Sequence, residues 1–137
     1  MVQQDLPASN AMRRRLQTAA SMTPCRHVCC IVDAIADRLG KGGDELLRLG
    51  SGFGAGMGTM EGTCSALVGA VMVSSLVSPD GAAMTNSRAI MPRFKELCGG
   101  ATICREFKGI DTGKVLCSCE NCVRNAVRAA GEALAGF

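Results

Sequence analysis

The chain has no tryptophan or tyrosine, only four phenylalanines and a single histidine, His27. Without bulky aromatics, its core has to be built from Ala, Val, Leu, Ile and Met. That palette suits closely packed helices better than a sandwich of strands, which relies on large cross-strand pairs. The few basic runs, such as "RRR" at Arg13–Arg15, have no aromatics interleaved with them, and the net charge is only +3. Base stacking therefore has no platform, and no nucleic-acid partner is expected. Long hydrophobic runs are also missing. The longest, "CSALVGAVMVSSLV" from Cys64 to Val77, is shorter than the roughly 20 residues a membrane span needs and carries three serines. It is read as a buried core helix, with no membrane span expected. The N-terminal stretch "MVQQDLPASNAMRRRLQ" has no apolar segment of the signal-peptide kind, and a cytoplasmic location is expected.

Cysteine, by contrast, is abundant. Nine cysteines in 137 residues are an odd count, which fits reduced or metal-bound thiols better than a fully paired disulfide scaffold. The chain is long enough for one core. The periodicity predicts an all-α fold, a compact bundle of about five to six helices. Residues 1–22 read as an N-terminal arm with a basic helix around 10–20. Residues 23–137 read as one helical, cysteine-rich domain. Its helices are expected over Cys25–Leu39, Glu61–Val77, Asn86–Leu97 (with Pro92 bending it or shifting its start), Thr102–Phe107 and Glu120–Leu134.

Between the first two lies "GSGFGAGMG", with a glycine at every second position from Gly50 to Gly58. A dinucleotide fingerprint needs G-x-G-x-x-G after a strand, so the even spacing is out of register, and no G-x-x-x-x-G-K-[ST] occurs. A phosphate-binding role is set aside. Just beyond the loop, Cys64 is expected near a helix start, where free N–H groups favour a thiolate. Near the other end, "LCSCENCV" places Cys119 and Cys122 one helical turn apart, a spacing shared by zinc sites, redox pairs and iron–sulfur ligation. Val123 follows where a covalent haem motif needs His. Cys98 reads as a small core hydrophobe, His27 as a solvated helix cap, and Met57 and Met60 as packing.

Taken in order, "RLGSGFGAGMGTMEGTCSALVGAVMV", "CREFKGID" and "CENCVRNAV" resemble the C_GCAxxG_C_C family of redox-active proteins, over about Pro24 to Leu134. In that family a helical cysteine precedes a glycine-rich loop, a C-G-A-x-x-G element, a cysteine before Arg-Glu-Leu, and a cysteine opening the last helix. Cys64, Ala66 and Gly69 look like the C-G-A-x-x-G element, with Ser65 in place of its glycine. Cys104, followed by Arg105 and Glu106, is similar to the third position, and Cys119 to the fourth, with Cys122 in an apolar place. Cys29 or Cys30 takes the first position. Cys25, Cys98, Cys117 and Cys122 are additions to the pattern.

The resemblance implies a redox role, and a split-Soret cytochrome with the same pattern also holds an iron–sulfur centre. On this basis Cys29 or Cys30, Cys64, Cys104 and Cys119, with Cys122 nearby, are the expected metal ligands. Gly52, Gly54, Gly56 and Gly58 are expected to wall the pocket. The expected cofactor is an iron–sulfur cluster, [2Fe–2S] first and [4Fe–4S] second. A non-enzymatic electron carrier with a redox partner protein is favoured. The alternatives are a thiol–disulfide oxidoreductase or sensor using Cys119, Cys122 and Cys64, or a structural zinc site. The apolar outer faces of Met72–Val77 and Met84–Met91 suggest a homodimer.

Overall fold

The computed structural model describes residues 48–134. The arm and basic helix of residues 1–22 and the Cys25–Leu39 helix, with Cys29 and Cys30, lie outside the described residues. Within them, the glycine-rich segment forms a 3-10 turn, Ser51–Phe53, and a wider π-type turn, Gly56–Met60. Four α-helices follow: α1 (Ser65–Val77), α2 (Ala83–Leu97), α3 (Cys104–Lys108) and α4 (Cys119–Leu134). The all-α expectation holds. Extended pairing among the described residues amounts to an isolated bridge between Thr63 and Ile103.

The three long helices pack against one another pairwise, and the sequence explains which faces meet. Helix α4 buries Cys122, Val123, Ala126, Ala129 and Ala130, while Arg124 and Arg128 face solvent. Helix α2 buries Asn86, Ile90 and Phe94, spaced by four and therefore stacked along one stripe. Helix α1 is apolar nearly all round, and its small residues Ala66, Gly69 and Ala70 let the other helices approach closely. Phe94, Leu67, Ile90, Val73 and Val123 are the largest fully buried side chains. Burying each contributes roughly 1.5–3 kcal/mol. Phe107 meets Phe94 edge-on, ring centres 5.9 Å apart at 86°, and this contact seats the short α3 on the bundle.

Two helix starts differ from the sequence expectation. Helix α1 begins at Ser65 rather than Glu61, because the chain before it is extended and paired. The Cys64 N–H donates to the Thr102 carbonyl (2.7 Å), and the Cys104 N–H donates to the Gly62 carbonyl (3.1 Å). Helix α2 begins at Ala83, ahead of Asn86. The Asn86 N–H already donates to the Ala82 carbonyl, and its side-chain amide donates to Ser78 Oγ at 2.7 Å. Pro92 sits inside α2 on an exposed position, and the carbonyl of Arg88, which loses its helical donor there, belongs to an exposed residue too.

Ser74 on α1 is fully buried, and its Oγ has no hydrogen-bond partner among the described residues. Removing a buried hydroxyl that bonds to nothing removes a desolvation penalty. Ser74→Ala is therefore expected to raise the unfolding free energy by about 1 kcal/mol, read as a higher urea midpoint at unchanged slope. An equal or lower midpoint would show that the hydroxyl is satisfied. No helix among the described residues is long and apolar enough to cross a membrane.

Candidate metal and thiol centre

Three cysteines each stand where a helix begins. Cys64 is the N-cap of α1, Cys104 is the first residue of α3, and Cys119 is the first residue of α4. The bridge between Thr63 and Ile103 sets the first two side by side. Cys122, one turn into α4, completes the set. The four thiols line one pocket with Ala55, Ser65, Ala66, Phe107 and Lys108. Cys64, Cys104 and Cys122 are buried and Cys119 is half-buried.

The local charges differ from thiol to thiol. Cys64 has the Cys122 thiol beside it and, at the start of α1, the N–H groups of Leu67 and Ala66, all of which favour its thiolate. Together these outweigh burial and bring Cys64 down to about 7. Cys122 is pushed up by the neighbouring Cys64 sulfur and by burial, and its thiol donates to the Cys117 carbonyl at 3.9 Å. Burial also raises Cys104 and Cys119, and the Lys108 ammonium opposes the rise at both. Cys64 is thus the thiol held lowest in the pocket, while Cys104, Cys119 and Cys122 are all raised.

This ordering has a measurable consequence. Below about pH 7 Cys64 is a neutral thiol, and above it a thiolate. In metal-free protein, iodoacetamide labelling at Cys64, followed by peptide mass, is expected to rise through pH 7 and level off by pH 8. Labelling that climbs only toward pH 9 would mean that Cys122 and the first N–H groups of α1 do not hold the Cys64 thiol down.

A second group of thiols shares Cys122 with the pocket. The Sγ atoms of Cys98, Cys117 and Cys122 are all within 4.8 Å of one another, the one such group of three metal-ligating side chains among the described residues. The side-chain amide of Asn125 donates to Cys98 Sγ at 3.3 Å and to the Leu97 carbonyl at 3.2 Å. Burial raises Cys98 to about 11.

The structure brings Cys64, Cys104, Cys119 and Cys122 to one pocket. Cys29 and Cys30 lie outside the described residues. Of the loop glycines, Gly54 and Gly56 are buried, whereas Gly52 and Gly58 are exposed. A side chain at Gly56 would put its Cβ 2.6 Å from Cys104 Cβ, so this glycine is what lets the loop press against that cysteine. The loop residue on the pocket wall is Ala55, held in the left-handed region at φ 52°. Sequence reasoning missed Lys108, although it stands one helical turn after Cys104 and so on the same face. It also took Cys98 for ordinary core, and no local signal links Cys98 to Cys117.

A family model described as "Putative redox-active protein (C_GCAxxG_C_C)" matches residues 15–133. The chain belongs to the C_GCAxxG_C_C family. The match runs further toward the N-terminus than the sequence motifs did, into the basic segment. No curated protein and no solved structure matches the chain. Cys64, Cys104 and Cys119, which the sequence motifs set beside the second, third and fourth cysteines of the pattern, are the three that open α1, α3 and α4. The group with spacing for a metal ion is Cys98, Cys117 and Cys122.

Proposed function

We propose that this C_GCAxxG_C_C protein is an electron carrier that binds an iron–sulfur cluster, [2Fe–2S] in type. Cys64, Cys104 and Cys119 supply three thiolates, and Cys29 or Cys30 supplies the fourth. The observation that carries the reading is the convergence of three helix-opening cysteines on one pocket. The donor set fits the group, since buried soft thiolates are the usual ligands of such clusters. Spacing favours it over a single ion. A lone metal about 2.3 Å from each sulfur holds its ligands roughly 4 Å apart, and no three pocket thiols come that close among the described residues. A cluster's bridging sulfides span a wider gap.

The bound group would accept and release one electron. The protein's own part is to tune and shield. The N–H groups of Leu67 and Ala66, at the start of α1, favour negative charge on the Cys64 sulfur. Lys108 offsets the charge of Cys104 and Cys119. Buried Phe107 and Ala66 keep water from that side of the pocket. Electron paramagnetic resonance of anaerobically purified, dithionite-reduced protein tests the reading: a spin-half signal supports it, and silence with zinc present contradicts it.

A second reading has its own support in the lowered Cys64 thiol with Cys122 in the same pocket, which pairs a ready thiolate with a second thiol as in a thiol–disulfide oxidoreductase. Under it the purified protein would be colourless and would form a Cys64–Cys122 disulfide on mild oxidation. Either role needs a redox partner protein and a compartment that keeps the spare thiols reduced, such as the cytoplasm.

Self-association is part of the proposal. Leu76, Met84 and Met91 are exposed on α1 and α2. Light scattering at micromolar concentration is expected to give a mass near twice 14.2 kDa. A mass of one chain that does not change on concentration would exclude the dimer.

A further inference from the structure

Cys98, Cys117 and Cys122 come from three separate segments, and each is held by backbone bonds. Cys98 caps α2, its N–H donating to the Phe94 carbonyl at 3.0 Å. Cys117 follows Leu116, whose N–H donates to the Phe107 carbonyl at 3.0 Å. The Cys122 N–H donates to the Ser118 carbonyl at 2.9 Å within the first turn of α4. Three sulfurs fixed within 4.8 Å of one another is a spacing that ordinary core packing does not require. A metal at about 2.3 Å from each needs them roughly 4 Å apart, so only a small closure separates this arrangement from a coordination sphere.

The surroundings suit a metal as well. Asn125 aims an amide N–H at Cys98 Sγ, the kind of outer donor that orients a ligand sulfur and stabilises its thiolate. Cys98 and Cys122 are buried, and half-buried Cys117 gives an ion a way in from solvent. An all-sulfur donor set selects soft or borderline cations over magnesium, calcium or manganese.

We propose that Cys98, Cys117 and Cys122 form a second metal site, which shares the Cys122 wall with the pocket but uses none of the helix-opening cysteines, and that it takes one thiophilic d10 cation, zinc(II) or copper(I). Binding exchanges the thiol protons for the metal: each coordinating sulfur releases its proton to solvent, and no electron is transferred. None of its three sulfurs is among the ligands assigned to the cluster. Its role is to clamp the end of α2 and the 109–118 loop to α4.

The test is competition titration of the anaerobically isolated, thiol-reduced protein with zinc(II) and, separately, copper(I), each against a coloured chelator. The wild type, Cys98→Ser, Cys117→Ser and Cys104→Ser are compared. Wild type and Cys104→Ser are expected to take up one ion with equal affinity, while Cys98→Ser and Cys117→Ser each bind at least tenfold more weakly. X-ray absorption then separates the two occupants: four near neighbours identify zinc, three sulfurs copper(I). Because Cys117 lies in a loop, its variant still reports if Cys98→Ser fails to fold. Wild-type affinity in Cys117→Ser, or loss of binding in Cys104→Ser alone, would overturn the proposal. Neither Cys98→Ser nor Cys117→Ser is expected to change the visible spectrum of the iron-loaded protein, so failure here is distinct from failure of the cluster reading.

Discussion

Cys104→Ser is expected to lower bound iron at least tenfold and to bleach the visible charge-transfer bands of anaerobically purified protein, with Cys64→Ser doing the same. A hydroxyl is a hard, weakly acidic donor and replaces a soft thiolate poorly. The substitution is nearly isosteric, so the backbone that presents the residue should persist. In particular, the Cys104 N–H to Gly62 carbonyl bond does not involve the side chain. Far-ultraviolet circular dichroism close to wild type would show that the fold survives. Cys98→Ser serves as the contrast, since Cys98 is absent from the pocket lining, and its spectrum should match wild type. If Cys98→Ser bleaches the protein while Cys104→Ser keeps its colour, the assignment of ligands to the helix-opening cysteines is wrong.

Gly56→Ala should be the most damaging single methyl in the loop. Gly56 has φ +61°, and an added Cβ would lie 2.6 Å from Cys104 Cβ and 3.0 Å from the Gly62 carbonyl oxygen. Left-handed strain and overpacking together are expected to cost about 2–5 kcal/mol, because the obstructing atoms are backbone and a buried Cβ that cannot swing aside. Gly58 isolates the first of these effects, having φ +73° with open space around it. Gly58→Ala should therefore cost only about 1 kcal/mol. Urea unfolding of the two variants measures the difference, and iron content reports whether Cys104 has been pushed out of place. Equal midpoints for the two would mean that the loop does not press on Cys104.

The helical class and the three helix-opening cysteines stood out in the sequence for different reasons. Helix α4 shows its buried stripe directly, since Val123, Ala126 and Ala130 recur at helical spacing between exposed arginines. The cysteines at positions 64, 104 and 119 were legible only through the order of the family's motifs. What brings them together is tertiary: the pairing of Gly62–Cys64 with Thr102–Cys104 has no periodic signature in either segment. The same pairing explains why α1 starts later than its apolar run suggests. Cys98 was unreadable for a related reason. Alone at the end of α2 it looks like any small buried residue, and only the path of the 109–118 loop carries Cys117 to it. That loop is shaped by Gly109, in the left-handed region at φ +65° where a Cβ would collide with the Lys114 carbonyl oxygen, and by the paired Arg105–Asp111 bonds of 2.8 Å.

The central claim is that the pocket opened by α1, α3 and α4 holds an iron–sulfur cluster. Quantifying iron and acid-labile sulfide in protein purified and kept without oxygen tests it most directly. The account predicts the two in equal amounts, about two of each per chain, with broad visible absorption. Protein that is colourless and contains no sulfide, whether it carries zinc or no metal, would contradict it.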